Sequence, residues 1–499
     1  MKRLWPYVSV LIAAVLLAVF EADLLYTAQE QNLFLHTSLF FEQLMVKPGG
    51  LLMWAGCYLT QFFHYPMLGA GLLGLLWAFL LWLLQRTFRL RDAWPGMIPI
   101  ACLLMTITTL GYWVYYLKLP GALFDATVGS VVAVLMVWAY QALPARFFVR
   151  TAFVPLSAVV AYPLFGFYGL WGVLLMGLMA WRIKDSRRLA DTLLAVLSVM
   201  AVPLICYHTV YHETNIVNVY WTALPVFNYS GHRFFGYYVP YIIFVASICL
   251  MMWPLPRFRW LRTAVAIVTV ALVAVFWYKD DNFHRELVMS RCIDRQDWNG
   301  VLSTVREAKG EPTRAMCLMR NLALFRSGKR GDEMNIYRNG SALPDAPFPV
   351  RMVHTFGKRL YLEYGIPNYC YRWCMEDGVE YGWTIERLKL MTLCSLVNGE
   401  FVAAQHYINL LKKTDFHGSW ARHYQDLLYR PPLIANDPAL KSILPLLRND
   451  NFLTSDQSQL EHFLIEHILS TSGITREQEE LNRFTMHYYR TNRSKIIEP

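Results

Sequence analysis

The sequence predicts an all-α protein in two parts. Residues 1–278 read as a polytopic transmembrane bundle of about nine spans, and residues 279–499 as an α-solenoid of tetratricopeptide-like helix pairs. Three observations predict this. The 499 residues are 56% hydrophobic and only 16% charged, whereas soluble globular chains carry about 25% charged residues. Nearly all the long apolar runs fall before residue 279. Beyond it come short helix-forming segments separated by glycine or proline turns, with little of the period-two alternation that marks strands.

A spanning helix needs about 20 mostly apolar residues, because lipid offers no partner to backbone N–H and C=O groups. Nine segments qualify: about 5–25, 67–85, 96–115, 124–143, 151–166, 167–182, 190–207, 236–253 and 262–278. The first reads as a retained anchor, since its apolar run is long and no convincing cleavage site follows. The fifth and sixth are short and meet at Gly166-Phe167-Tyr168-Gly169, which predicts a tight hairpin. Segment 50–65 holds Gln61 and His64 and runs into Pro66, so it reads as an interfacial or re-entrant helix.

Charge orients the bundle. Residues 1–278 hold 17 of the 46 lysines and arginines and 9 of the 36 acids. With the N-terminus inside, 14 of those cations, Arg86, Arg150 and Arg182 among them, lie on the inner side. Only Lys47, Lys118 and Arg233 fall in outer loops. This is the asymmetry of the positive-inside rule. With nine spans it puts the C-terminal region outside. The net charge of +10 therefore records orientation rather than an acidic partner, and no basic recognition helix argues for nucleic acid.

The second part reads as helix pairs: 282–293 with 297–308, 312–327 with 330–337, 351–364 with 367–381, and 383–398 with 400–413. The last pair turns at Gly399 and carries Ala403-Ala404, small enough for close packing on the preceding helix. Segment 338–350, with three prolines, reads as a loop, and 456–491 as two further helices. Nine cysteines are too few for a disulfide scaffold. Cys292, Cys317, Cys370, Cys374 and Cys394 read as buried thiols. There is no P-loop, GxSxG or CxxC motif.

Candidate site residues gather in the outer loops 26–66 and 207–235. A carboxylate near the membrane is costly and often functional, which singles out Glu21 and Asp23 at the outer end of the first span, and Glu42. Lys47-Pro48-Gly49-Gly50 is a turn signal, read either as a plain helix entry or as a turn that presents the backbone N–H groups of the following helix to a phosphate. The second loop interleaves His208, His212, Glu213 and Arg233 with tyrosines and tryptophans, a composition suited to a sugar or diphosphate. It suits an interfacial aromatic belt equally well. Asp23, His208, His212 and Glu213 are weak metal-ligand candidates.

Three stretches carry a family resemblance. The first is Glu42-Gln43, Lys47 to Leu51 and Gln61 to Pro66. The second is Asn321 to Leu324 with Ser327-Gly328-Lys329. The third runs from Val397 through Phe401, Ala404, Tyr407 and Leu410-Leu411 to Trp420-Ala421. In these the chain resembles an uncharacterised family of bacterial multi-spanning membrane proteins with a tetratricopeptide-like C-terminal domain. In layout it is more distantly similar to the GT-C class of glycosyltransferases. That likeness implies transfer of a sugar or glycan from a polyprenyl-linked donor to an envelope acceptor, with a divalent metal as candidate cofactor. Glu21, Asp23 or Glu42 would act as catalytic base or metal ligand. Lys47, Gln61, His64, His208, His212 and Arg233 would bind substrate. The alternative is a non-catalytic envelope scaffold acting through the repeat domain, and a lipid or glycan transporter is a third class. The expected partners are a membrane lipid and a protein docked on the repeats.

Overall fold

The structure is a computed structural model that describes residues 4–90, 92–115, 120–144, 149–212, 214–229, 231–253, 259–329, 342–350, 352 and 355–447. It is all-α, about 75% helical, with one hairpin of two-residue strands pairing Asn228 with Arg233 and Tyr229 with His232. The chain forms two compact units. Unit 1 is residues 1–110 with 117–278, and unit 2 is residues 111–116 with 279 onward.

Unit 1 begins with α1 (Trp5–Phe20) and α2 (Ala22–Glu30), which meet at Glu21 with a bend of 77°. The expected straight span 5–25 is thus a broken one. After α3 (Ser38–Met45), α4 (Gly50–Thr60) runs into a 3-10 turn, Gln61–His64. There follow α5 (Pro66–Thr87), α6 (Met97–Thr108), α7 (Ala122–Ala142), α8 (Val149–Phe165), α9 (Phe167–Arg182), α10 (Arg188–Thr209), α11 (Val239–Leu250) and α12 (Arg259–Phe276). Three described helices, α5, α7 and α10, are long and apolar enough to cross a membrane, or up to five spans if two bent helix pairs each count as one. The segments expected at 96–115, 151–166, 167–182 and 236–253 form helices of 12, 17, 16 and 12 residues.

Packing in unit 1 inverts the pattern of a water-soluble helix. On α10 the buried stripe is Asp191, Ala195, Ser198 and Val202, while Leu189, Leu193, Leu197, Met200 and Leu204 are exposed. Small and polar residues face inward, as helices do when van der Waals fit and hydrogen bonds, not apolar burial, hold them together. Asp191 accepts from the Tyr140 hydroxyl of α7. The hairpin expected between α8 and α9 turns on Gly166, whose φ is +54°. A Cβ there would lie 2.7 Å from the Thr222 carbonyl oxygen, so only glycine fits between this corner and the 219–224 loop.

Two arginines bind helix ends in unit 1. Helix C-termini leave carbonyls unsatisfied. Arg182 donates to the carbonyls of Phe88 and Met251, at the ends of α5 and α11. Arg150 donates to the Leu143 carbonyl at the end of α7 and pairs with Asp185 at 2.6 Å.

Unit 2 comprises α13 (Asp281–Asp294), α14 (Trp298–Arg306), α15 (Arg314–Arg326), α16 (Gly357–Glu363), α17 (Pro367–Tyr381), α18 (Ile385–Asn398), α19 (Phe401–Leu411) and α20 (Gly418–Tyr429), with short helical turns to Leu446. The side chains of Asp280, Asp297, Thr313 and Thr384 cap the N-termini of α13, α14, α15 and α18. Each helix packs mainly on its neighbours in chain order. Gly399, with φ of +76°, closes α18. Leu388, Met391, Leu393 and Leu396 of α18 are buried, as are Ala404, Ile408 and Leu411 of α19. The helices expected at 330–337 and 456–491 lie outside the described residues.

Buried ion pairs tie these helices together. Lys358 donates to Asp377 at 3.0 Å, and Arg387 lies 3.6 Å from the same carboxylate. Glu363 receives Arg359 at 2.8 Å and Arg326 at 3.1 Å. Cys317, Cys370, Cys374 and Cys394 are buried. Burial pushes the Cys370 and Cys374 thiols up, away from the thiolate form that metals and nucleophilic chemistry require.

Candidate functional site

All the sequence candidates fall in unit 1. Glu21 sits at the α1–α2 break, 2% exposed, and accepts from Trp277 Nε1 at 2.7 Å. Asp23 is half-buried in the first turn of α2. Glu42 on α3 and Lys47 before α4 are exposed. His208 is exposed in the last turn of α10, His212 in the turn after it, and Arg233 on the hairpin. Glu213 lies outside the described residues. Asp23, His208 and His212 do not gather within metal-ligand reach of one another.

Gln61 and His64 do enter a cluster. In a 3-10 helix residues i and i+3 eclipse, so the two lie on one face of their turn, and that turn packs on α2 and α5. A carboxylate oxygen of Glu30 and a ring nitrogen of His64 lie within 4.8 Å of each other, and the rings of Tyr26 and His64 are 6.1 Å apart. The Cys57 carbonyl accepts from the Gln61 backbone N–H and, at 3.0 Å, from Asn32 Nδ2. That shared carbonyl brings the Asn32 side chain beside Gln61. Glu30, Asn32 and Gln61 are 8, 6 and 5% exposed. Among the described residues, Asn32 Oδ1 and Gln61 Nε2 are buried without a hydrogen-bond partner.

Next to this cluster α4 and α7 approach closely. Gly121 has φ of +72°, and a Cβ there would lie 2.3 Å from the Cys57 nitrogen. A Cβ on Gly56 would lie 2.0 Å from Asp125 Oδ1. Asp125, in the first turn of α7, is 3% exposed, and among the described residues neither carboxylate oxygen has a hydrogen-bond partner. An uncompensated carboxylate inside an apolar helix bundle is costly, and such groups commonly mark function.

The third feature is a cavity of about 510 Å³ between α6, α7, α9, α11 and the 218–238 loop. Its walls are apolar and aromatic, including Leu103, Ala126, Trp171, Phe244 and Val245, with Trp221 and Tyr238 from the loop. Among the described residues that line it, Arg233 alone is charged. The volume falls in the range of small-molecule sites, and one cation on an apolar chamber is the recognition chemistry of an anionic group carrying a hydrocarbon chain.

The aromatic 207–235 loop pointed to the cavity, and Gln61 and His64 to the polar cluster. Asn32 carried no signal, because its partner lies 25 residues away. The spelling Gly69-Ala70-Gly71-Leu72-Leu73-Gly74 fits a dinucleotide glycine motif, but it lies in the first turns of α5 with no strand before it, so the context that motif requires is missing.

No curated protein and no solved structure matches the chain. The model of a family of unknown function (DUF6057) matches residues 2–488. With nearly its whole length covered, the chain belongs to that family.

Proposed function

We propose that the chain is a bacterial cytoplasmic-membrane protein that holds a polyprenyl-linked donor in unit 1 and transfers its sugar to an envelope acceptor, as GT-C class enzymes do. The cavity of about 510 Å³ with Arg233 as its one charge carries this reading. The apolar walls take up the hydrocarbon chain by van der Waals fit, as between helices in lipid, and Arg233 meets the diphosphate. Transfer breaks the bond between the anomeric carbon and the diphosphate oxygen and forms one to the acceptor hydroxyl. A carboxylate takes the acceptor proton, and Arg233 stabilises charge on the leaving diphosphate. The candidate bases are Glu21, Asp23 and Glu42, at and beyond the α1–α2 break.

The finer layout we propose is nine membrane passages with a tetratricopeptide-like solenoid on the periplasmic side. The outward-facing leucines of α10 and the arginine-capped inner helix ends support the first. Packing of unit 2 helices on their chain neighbours supports the second. The same packing, with Val379, Val402 and Tyr429 exposed, favours a second reading in which unit 2 docks a protein and unit 1 is its anchor.

Binding of a polyprenyl phosphate and of the uncharged polyprenol to the protein in nanodiscs tests the leading reading. The phosphate binds at least tenfold tighter to the wild type, and Arg233→Ala abolishes that preference. Equal binding of the two lipids to the wild type refutes it. The anchor reading expects alanine at Asp23 and Arg233 to leave the phenotype intact, while disruption of 383–413 abolishes it.

A further inference from the structure

The polar cluster on α2 and the 61–64 turn is separate from the lipid cavity and is not used by the transfer chemistry above. Its donors are a carboxylate, an imidazole and side-chain amides. Glu30 and His64 present ligand atoms within 4.8 Å, a gap that two metal bonds of about 2.0–2.2 Å nearly span. Asn32 is held by its Nδ2 on the Cys57 carbonyl, so its Oδ1 is directed to the opposite side of the amide. That oxygen is buried and meets no donor. Gln61, one 3-10 turn before His64, likewise carries a buried amide atom without a partner. A buried polar atom left unmatched costs about 1–3 kcal/mol; a positive ligand on the Glu–His pair matches the Asn32 oxygen directly, and matches Gln61 once its amide is turned. Which amide atom of Gln61 is oxygen follows from its neighbours. A cation in the cluster turns that oxygen inward and frees the NH₂ to face outward.

We infer that Glu30, His64 and Asn32, with Gln61 completing the set, bind a divalent first-row transition ion. Mixed oxygen and nitrogen donors with one imidazole suit Zn²⁺ or Mn²⁺ over Mg²⁺ and Ca²⁺, which take oxygen alone. The residues Asp23, His208 and His212 that sequence reasoning considered for a metal are not part of it.

The test uses the full chain in nanodiscs, stripped with a chelator and reloaded with Zn²⁺ or Mn²⁺ alone. Retained metal is measured by elemental mass spectrometry after desalting, and the melting temperature is followed with and without the ion. The wild type retains about one equivalent and melts higher with the ion present. His64→Ala and Glu30→Gln each lower the affinity at least tenfold and lose that metal-dependent shift. Arg233→Ala, which empties the lipid site, leaves metal binding unchanged, so failure of the lipid reading is distinguishable from failure of this one. If a variant does not fold, Glu30→Asp provides the second test, because it keeps the charge but withdraws the carboxylate by one methylene and so weakens metal retention. Wild-type protein that retains no metal after desalting, or variants that retain as much as the wild type with the same melting shift, overturns the inference.

Discussion

Replacing Glu286 with glutamine tests the electrostatics of unit 2 with one atom changed. Glu286 of α13 is 2% exposed. Its carboxyl accepts from the Tyr112 hydroxyl at 2.9 Å and from the Thr313 hydroxyl. Burial pushes the carboxyl up to about 8, against the two hydrogen bonds, which favour the ionised form, and with help from the charge of Asp280. The folded value therefore lies above the unfolded one. Between the ordinary glutamate range and about pH 8 the native state keeps a proton that the unfolded chain has released. Stability then falls as pH rises, by about 1.4 kcal/mol per pH unit for one proton, or about 4 kcal/mol from pH 5 to pH 8. The stabilisation is complete below the unfolded value and lost as pH climbs to the folded one. Glutamine keeps one acceptor and one donor, as the protonated acid does, but cannot ionise. Hydrogen exchange of the full chain, read on peptides covering α13 and α15 and corrected for intrinsic rates, reports this unit directly. Wild type and Glu286→Gln protect these helices equally near pH 5, and the variant becomes the more protected as pH rises to 8. Parallel pH profiles, or a wild type that gains protection with pH, refute the reasoning.

Three further outcomes follow from buried geometry. Gly121→Ala forces a Cβ to within 2.3 Å of the α4 backbone at a φ of +72°, so the melting temperature falls by several degrees, a loss of about 1–3 kcal/mol; an unchanged melt contradicts the close approach of α4 and α7. Lys358→Ala removes the cation that lies 3.0 Å from the buried Asp377 carboxylate and costs about 3–5 kcal/mol, and an unchanged thermal denaturation curve contradicts the buried pair. Asp125→Asn, which removes a carboxylate with no partner on either oxygen, raises thermal stability in detergent, and a lowered melting temperature contradicts the uncompensated burial.

The helical character of the chain was legible because apolar runs and 3.6-residue periods are local signals. Gly399 and the α18–α19 pair show this well, since a glycine at the αL position and a buried face of Leu388, Met391 and Leu396 are both written in consecutive residues. Span 5–25 shows the limit. Its hydropathy is continuous, but the helix breaks where Glu21 turns to meet Trp277, 256 residues away. Long-range partners decided the site in the same way. Gln61 and His64 were visible as polar residues in an apolar stretch, whereas Asn32 matters only because Cys57 lies beside it. The cavity is built from residues such as Leu103, Ala126 and Val245, which in sequence are indistinguishable from span filling. Arg233 stood out as one of three outer cations, yet only the fold shows that it is the charge on that chamber.

The central claim is that unit 1 holds an anionic, lipid-linked donor with its head group on Arg233. A cryo-electron-microscopy structure of the full chain in nanodiscs with a polyprenyl phosphate added tests it most directly. The account predicts chain density between α6, α7, α9 and α11, with the phosphate within about 3 Å of the Arg233 guanidinium, a charge-assisted hydrogen-bond distance. An empty cavity at saturating lipid, or a phosphate bound away from Arg233, contradicts it.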